Sequence, residues 1–348
     1  MAIPKLKDIA AAAGVHEMTV SRALRNVGRM RPETRQNVLD VARSMGYRPN
    51  AAAAAMRTGR TGCIAMISGP RPHVSHLPPQ AMAGIVEQVA SYGGYLAHAT
   101  IPDHVDAADA ATLPRLLGRQ MAEGVLLNDT SGDLSQFETF FQRNEIPAVW
   151  MNHRRGVNAV YPDDFGAARK VTEQFLALGH KRIAFVRLVR ASDVYRHAEH
   201  YSVTDRVAGY ESAMRQAGLR PDVLVFDRHW DQWHESAEQR MKPLAKVFKD
   251  PARRPTAVIV YRHGPVLMGM LQNLGLRVPE DVSMVSFSIY AAHAVEQTVS
   301  WVPIPLEIMG CKATDMLYRM IESGEREVPS LCLPYGEIAS LHTVRELG

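Results

Sequence analysis

Apolar residues near the start of the chain recur at three- and four-residue steps: Leu6, Ile9, Ala10 and Ala13, then, past Gly14 and Val15, Val20, Ala23 and Leu24. That period is helical, and the glycine divides it into two short helices. A tight turn between helices needs a residue that tolerates positive φ, and Gly14 is the only candidate in the segment. With the second helix starting near His16 or Glu17, Val20, Ala23 and Leu24 face the first helix, while Glu17, Met18, Ser21, Arg22 and Arg25 are left outward. A third helix is expected from Pro32 to about Met45, with proline in its first turn and Gly46 as its stop. The pattern fits either a helical hairpin inside a larger core or a helix-turn-helix that lays its second helix in the major groove of DNA. In the second case Glu17, Met18 and Arg22 are the base-reading candidates, and Thr19 and Ser21 could bond phosphates or cap the helix.

From Gly62 the rhythm changes to short apolar runs separated by amphipathic stretches. CIAMI, YLAHAT, GVLLN and IPAVWM read as strands, with helices over Gln80 to Gly93, Leu113 to Glu123 and Phe137 to Asn144 between them. A second series starts near Asp163. Helices are expected at Phe165 to Leu178, Asp205 to Ala217, Ser236 to Phe248 and Pro265 to Leu274, alternating with strands at RIAFVRLV, Val223 to Phe226, TAVIVY and VSMVSFS. Strands joined by helices of this length imply right-handed crossovers and parallel sheets. The expected fold is an all-α helix-turn-helix domain followed by an α/β two-lobed domain of doubly wound parallel sheets, as in periplasmic binding proteins. Ligands on such sheets sit at the carboxyl ends of strands, which places a cleft between the lobes.

The length, 348 residues, supports two or three domains. Charge is unevenly placed. Residues 1–61 carry eleven Lys/Arg against four Asp/Glu, a balance of +7 in a chain of net +4, which leaves −3 for the rest. Phosphate binding would require that placement of charge. Cys63, Cys311 and Cys332 have neither metal-site nor disulfide spacing, so a reduced, cytoplasmic setting without a metal or other cofactor is expected. No apolar run approaches twenty residues and no charged-then-apolar leader opens the sequence, so neither a membrane span nor a secretory signal is expected. There is no G-x-G-x-x-G after a strand, no P-loop and no G-x-S-x-G, so nothing points to an enzyme.

The motifs DIAAAAGV, TVSRAL, RPETR, GYRPN and MRTGRTG, in this order and spacing, resemble the N-terminal block of the lactose-repressor (LacI/GalR) family of transcription factors. DDFGAAR, LGHKRIAFV, DRVAGY and LGLRVPEDVSMVSF are similar to the family's second-lobe signatures, so the resemblance covers essentially the whole chain. It implies a sequence-specific regulator, expected to be a repressor of a catabolic operon, that binds double-stranded DNA at a near-palindromic operator under the control of a small molecule. The chain then divides into a helix-turn-helix domain over 1–46, a hinge over 47–61 and a two-lobed domain over 62–348. Lobe 1 is expected at about 62–161 and 291–323, and lobe 2 at about 162–290 and 324–348. In the hinge, Asn50 can cap a short helix that is marginal alone and orders on binding. In the resembling family a leucine of this helix wedges into the minor groove. Met56 stands there and either wedges likewise or packs on the partner's hinge, with Arg57 beside the DNA. The chain lacks a terminal heptad helix after its last strands, and a two-fold homodimer is expected.

The same carry-over gives the effector candidates. Arg206 matches the family arginine that bonds the effector, or is a surface arginine paired with Asp205. Asn152, Ser202, His263 and Ser288 fall at cleft positions, and Trp301 either stacks on the ligand or fills the core. Arg71, His73 and His76 lie after the first strand, as solvated loop or entrance cover. Where the family places carboxylates this chain has Asn152, His263-Gly264 and Ser288-Ile289, with Arg262 added. Fewer carboxylates and more cationic groups favour an anionic ligand, expected to be a sugar acid or a related carboxylated or phosphorylated metabolite.

Overall fold

The computed structural model describes residues 4–48, 59–69, 77–101, 117, 121–128, 137–189, 200–227, 237–288 and 298–347. They fall into two compact units, Met1–Thr61 and Gly62–Gly348. The expected cover at Arg71, His73 and His76, the hinge residues Asn50, Met56 and Arg57, and most of the helix expected over Leu113 to Glu123 lie outside the described residues.

Among its described residues the first unit holds three helices, α1 (Leu6–Ala13), α2 (Glu17–Leu24) and α3 (Pro32–Ser44). Ile9, Ala10, Val20, Ala23, Val38 and Ala42 form its small core, with Leu24 and Tyr47 packed on the margin. Gly14 caps α1 in the left-handed region, at φ 65°, where a side chain would be strained.

In the second unit, the first sheet is built from β1 (Cys63–Ser68), β2 (Tyr95–Thr100), β3 (Gly124–Asn128), β4 (Ala148–Met151), β5 (Ala159–Pro162) and β11 (Leu331–Leu333). Their order is β11-β5-β4-β3-β1-β2, all parallel. Because successive side chains leave opposite faces of a strand, β1 splits its apolar run. Ile64 and Met66 join Leu126, Val149 and Met151 under α4 (Pro79–Ser91) and α10 (Leu306–Ser323). Ala65 and Ile67 join Val125, Leu127 and Trp150 under α5 (Glu138–Arg143).

The second sheet repeats the scheme with β6 (Ile183–Val189), β7 (Asp222–Asp227), β8 (Ala257–Val260), β9 (Ser283–Ser288) and β10 (Ser300–Pro303), in the order β10-β9-β8-β6-β7. α6 (Asp164–Ala177) and α7 (Tyr201–Gln216) pack on one face through Phe175, Phe185, Tyr210, Val285 and Phe287. α8 (Ala237–Phe248) and α9 (Gly264–Asn273) pack on the other through Leu244, Phe248, Leu267 and Leu271.

Two strands change lobe relative to the sequence reading. Ser300–Pro303, expected with lobe 1, pairs in register with Val285–Ser288 of the second sheet. The prolines at 303 and 305 place the crossover after this strand, since a residue without an N–H ends a ladder readily. Leu331–Leu333, expected as an edge of lobe 2, pairs with Val160–Pro162 at the edge of the first sheet. The stretch Ile338 to Leu341 makes a single antiparallel bridge, Ala339 to Trp301. Three connections therefore cross between the lobes, at Pro162–Asp164, Pro303–Leu306 and Leu333–Tyr335. Two of them are tied together where Asp163 N–H donates to the Leu333 carbonyl at 2.8 Å.

Candidate functional site

The outward face of α2 is held by its own ends. His16 caps the helix through its ring: Nδ1 accepts the Met18 N–H at 3.2 Å. An imidazole nitrogen thus satisfies one of the free donors of the first turn, as a hydroxyl would. Beyond the helix, the Arg35 guanidinium bonds Asn26 Oδ1 and the Gly28 carbonyl, fixing the loop into α3. Sequence reading missed this arginine. Val20 and Ala23 are buried, and Glu17, Met18, Arg22 and Arg25 are exposed, Met18 to 57%. Thr19 and Ser21 are half-buried, and the Ser21 carbonyl accepts from Arg25 Nε at 3.0 Å. An apolar side chain that exposed, flanked by two arginines and a carboxylate, leaves a face equipped to read a groove edge.

In the second unit the structure gathers Asn152, Ser202 and Arg206 where β4, α7 and the end of β8 meet. α7 begins at Tyr201, a turn earlier than expected, because the His200 ring caps it by accepting the Ser202 N–H. Arg206 accordingly lies in the second turn and not at the helix start. It is 6% exposed and its partner is not Asp205 but Asp164, 1% exposed, at 2.6 Å from Nε. Asp205 receives Arg154 Nη1 instead, at 2.7 and 2.8 Å. Arg206 also donates to the Tyr261 carbonyl at 3.1 Å and the Tyr335 hydroxyl at 3.0 Å, and its Cζ stands 4.2 Å from the Phe287 ring centre. Burial opposes its charge, but the Asp164 carboxylate overrides that and holds the guanidinium more firmly protonated than usual. Among the described residues these bonds occupy three of its five N–H groups and leave two.

Close helix contact makes this pairing reachable. A Cβ on Gly209 of α7 would stand 2.1 Å from the Phe165 carbonyl of α6, so only glycine lets Arg206 approach Asp164 this nearly.

Asn152 and His263 both adopt the left-handed region, with φ 55° and 66°, just past β4 and β8. Asparagine accepts this readily; for histidine it is uncommon, and strained backbone of this kind concentrates at binding sites. Arg262, next to His263, places its Cζ 5.3 Å from the Tyr261 ring centre, the ring that Arg206 meets at 5.0 Å. The backbone of Ser288 ends β9 beside Pro303. Trp301 is half-buried on the edge strand, and its backbone is bonded to that of Ala339.

Sequence reading missed Asp164, Tyr261, Tyr335 and His200. The Asp163-Asp164 doublet in the first turn of α6 was a signal for the first. Tyr335 reaches the site through the chain crossing after Leu333, Tyr261 stands at the carboxyl end of β8, and His200 is the N-cap of α7.

Residues 5–50 match the bacterial regulatory proteins of the lacI family, and residues 172–338 match the periplasmic binding protein-like domain. The transcriptional regulator RegA of Clostridium saccharobutylicum is 27% identical over 97% of this chain and 99% of its own length. A transcriptional regulator CelR–cellobiose complex is 26% identical, covering 98% of this chain and 99% of the other, with TM-score 0.62. The lac repressor dimer bound to operator shares the fold at TM-score 0.75 and 19% identity, covering 99% and 100%. No described helix is long and apolar enough to cross a membrane. A basic first unit with three described helices, followed by two parallel-sheet lobes, agrees with these matches: the chain is a DNA-binding transcriptional regulator and belongs to the LacI family.

Proposed function

We propose that this regulator acts in the cytoplasm as a homodimeric repressor of a catabolic operon, that each α2 reads one half of a near-palindromic operator, and that an anionic sugar derivative in the inter-lobe cleft sets its DNA affinity. Glu17, Met18 and Arg22 contact bases, and Thr19, Ser21 and Arg25 contact phosphates. Asn50, Met56 and Arg57 serve the hinge at the operator centre. Lobe closure changes the spacing of the paired hinges, and DNA affinity follows by linkage.

The observation that carries the acid class is the pair of guanidinium groups, Arg206 and Arg262, against the one Tyr261 ring. With Asn152, His263 and Ser288 at positions that could have held carboxylates, the cleft offers donors to an acceptor-rich ligand. Cellobiose in the CelR complex favours a second reading, a neutral sugar, whose hydroxyls the two remaining Arg206 N–H groups could also serve.

A thermal-shift screen of the full chain against neutral sugars paired with their acid and phosphate forms separates the two, since a bound ligand raises stability by mass action. A shift with acids alone is the expected result. A shift with the neutral member of a pair would overturn the acid class. Selection of binding sites from random DNA should return a near-palindrome, and asymmetric sites would tell against the dimeric reading.

A further inference from the structure

The Tyr261 hydroxyl ends a chain of hydrogen bonds whose direction is fixed at its other end. His200 Nε2 lies 2.8 Å from the carbonyl oxygen of Asn152. A backbone carbonyl only accepts, so that nitrogen carries a proton. Nδ1 accepts the Ser202 N–H at 3.3 Å and therefore keeps its lone pair. Burial lowers the ring's affinity for a second proton and so favours this neutral form. The Ser202 hydroxyl, 2.8 Å from Nδ1, must then donate to the ring. Its oxygen is left to accept from the Tyr261 hydroxyl, 3.0 Å away. The one phenolic proton is thereby turned inward, and among the described residues the Tyr261 oxygen makes no other bond. It keeps a lone pair and has no proton to offer.

Tyr261 follows β8 at its carboxyl end, the side on which parallel sheets hold ligands. Its ring is half-buried, with Arg206 Cζ 5.0 Å and Arg262 Cζ 5.3 Å from its centre. Guanidinium groups only donate, so the cleft sets an oxygen that only accepts among cations that only donate. An anion on either guanidinium lies beside this ring, and the groups next to that anion are the ones the phenol oxygen meets. We propose that Tyr261 determines specificity in the cleft: its oxygen, held as an acceptor by Ser202 and His200, selects an anionic ligand with a hydroxyl next to its acid group, a 2-hydroxy acid of the sugar series. This specificity presupposes the anionic reading of the cleft and narrows it. His200 touches no ligand in this arrangement and is a positioning residue that acts through Ser202, itself only 4% exposed. A carboxylate alone would set lone pair against lone pair at Tyr261, whereas a hydroxyl supplies the missing proton.

Calorimetric titration of the full chain with gluconate, galactonate and xylonate, each against its 2-deoxy form and with glucose as the neutral control, reads the selection. At least one of these acids should bind about tenfold more tightly than its 2-deoxy form, the ratio that one hydrogen bond between neutral groups supplies. Tyr261→Phe should bring the two forms to equal affinity. His200→Asn keeps an acceptor for the Ser202 N–H and hydroxyl and should retain the ratio, whereas His200→Leu has none and should lose it. The ring is read without any ligand. With histidine ring nitrogens labelled for NMR, the signals that His200→Asn removes should show a proton on Nε2 and a bare Nδ1. A proton on Nδ1 overturns the proposal. So does equal affinity for both forms in the parent, a ratio that survives Tyr261→Phe or His200→Leu or is lost in His200→Asn, or the absence of binding by every acid. Glucose binding more tightly than all the acids fails the anionic reading itself, while acids that bind equally with and without the hydroxyl leave that reading standing.

Discussion

The outer face of α2 and the cleft between the lobes are the two recognition sites of the proposed function, but they hold their residues in opposite ways. Glu17, Met18 and Arg22 stand exposed, each answerable to its own position on one helix. Asn152, Ser202 and Arg206 are bonded to other parts of the protein, and Arg206 reaches Asp164, Tyr261 and Tyr335 from three separate elements. A face of the first kind can change partner by single substitutions. A cleft of the second kind couples ligand contact to lobe geometry, because any group that engages Arg206 or Ser202 also acts on what holds them.

The sharpest break of this contrast is Asp164→Ala. It leaves a buried guanidinium without its carboxylate, and removing one partner of a buried pair costs about 3–5 kcal/mol. Urea unfolding should show that loss in the second unit. A cost under about 1 kcal/mol, the range of exposed pairs, would mean that water reaches Arg206 and that the cleft is not interlocked. Gly209→Ala attacks the same pairing from behind: its methyl would collide with the Phe165 carbonyl, and overpacking of this kind costs about 1–3 kcal/mol. Its melting temperature should fall, and an unchanged one would show that α6 and α7 can separate without penalty.

The contrast also explains how much could be read from the sequence. The helical period around Gly14 and the apolar runs after Gly62 are local, so the three helices and most strands stand where the pattern put them. Residues 300–303 and 331–333 were given to the wrong lobes, because a four- or three-residue edge strand carries no mark of the sheet it joins. Arg206 was found by its motif, but its partner was not. Asp205 is adjacent in sequence, whereas Asp164 is forty-two residues away and becomes a neighbour only through the Gly209 contact. His200 was missed for the same reason, since its meaning lies in a carbonyl forty-eight residues earlier.

On the exposed side, Arg22→Ala should leave unfolding unchanged and cost about 1–3 kcal/mol of DNA binding, with specificity relaxed at a single base pair of each half-site. Site selection from random DNA reads this directly. Equal weakening across all sequences would instead make Arg22 a phosphate contact.

His16→Ala is the smallest change and tests whether even the exposed face is wholly independent of its support. The ring accepts the Met18 N–H, and loss of an N-terminal cap costs about 1 kcal/mol. Because the cap holds the turn that carries Glu17 and Met18, amide exchange at Met18 should quicken while exchange in α3 stays as it was. His16→Ser supplies a hydroxyl acceptor at the same place and should restore slow exchange. If alanine and serine behave alike, the imidazole is a bystander and the first turn of α2 is ordered by packing on α1 through Val20 alone.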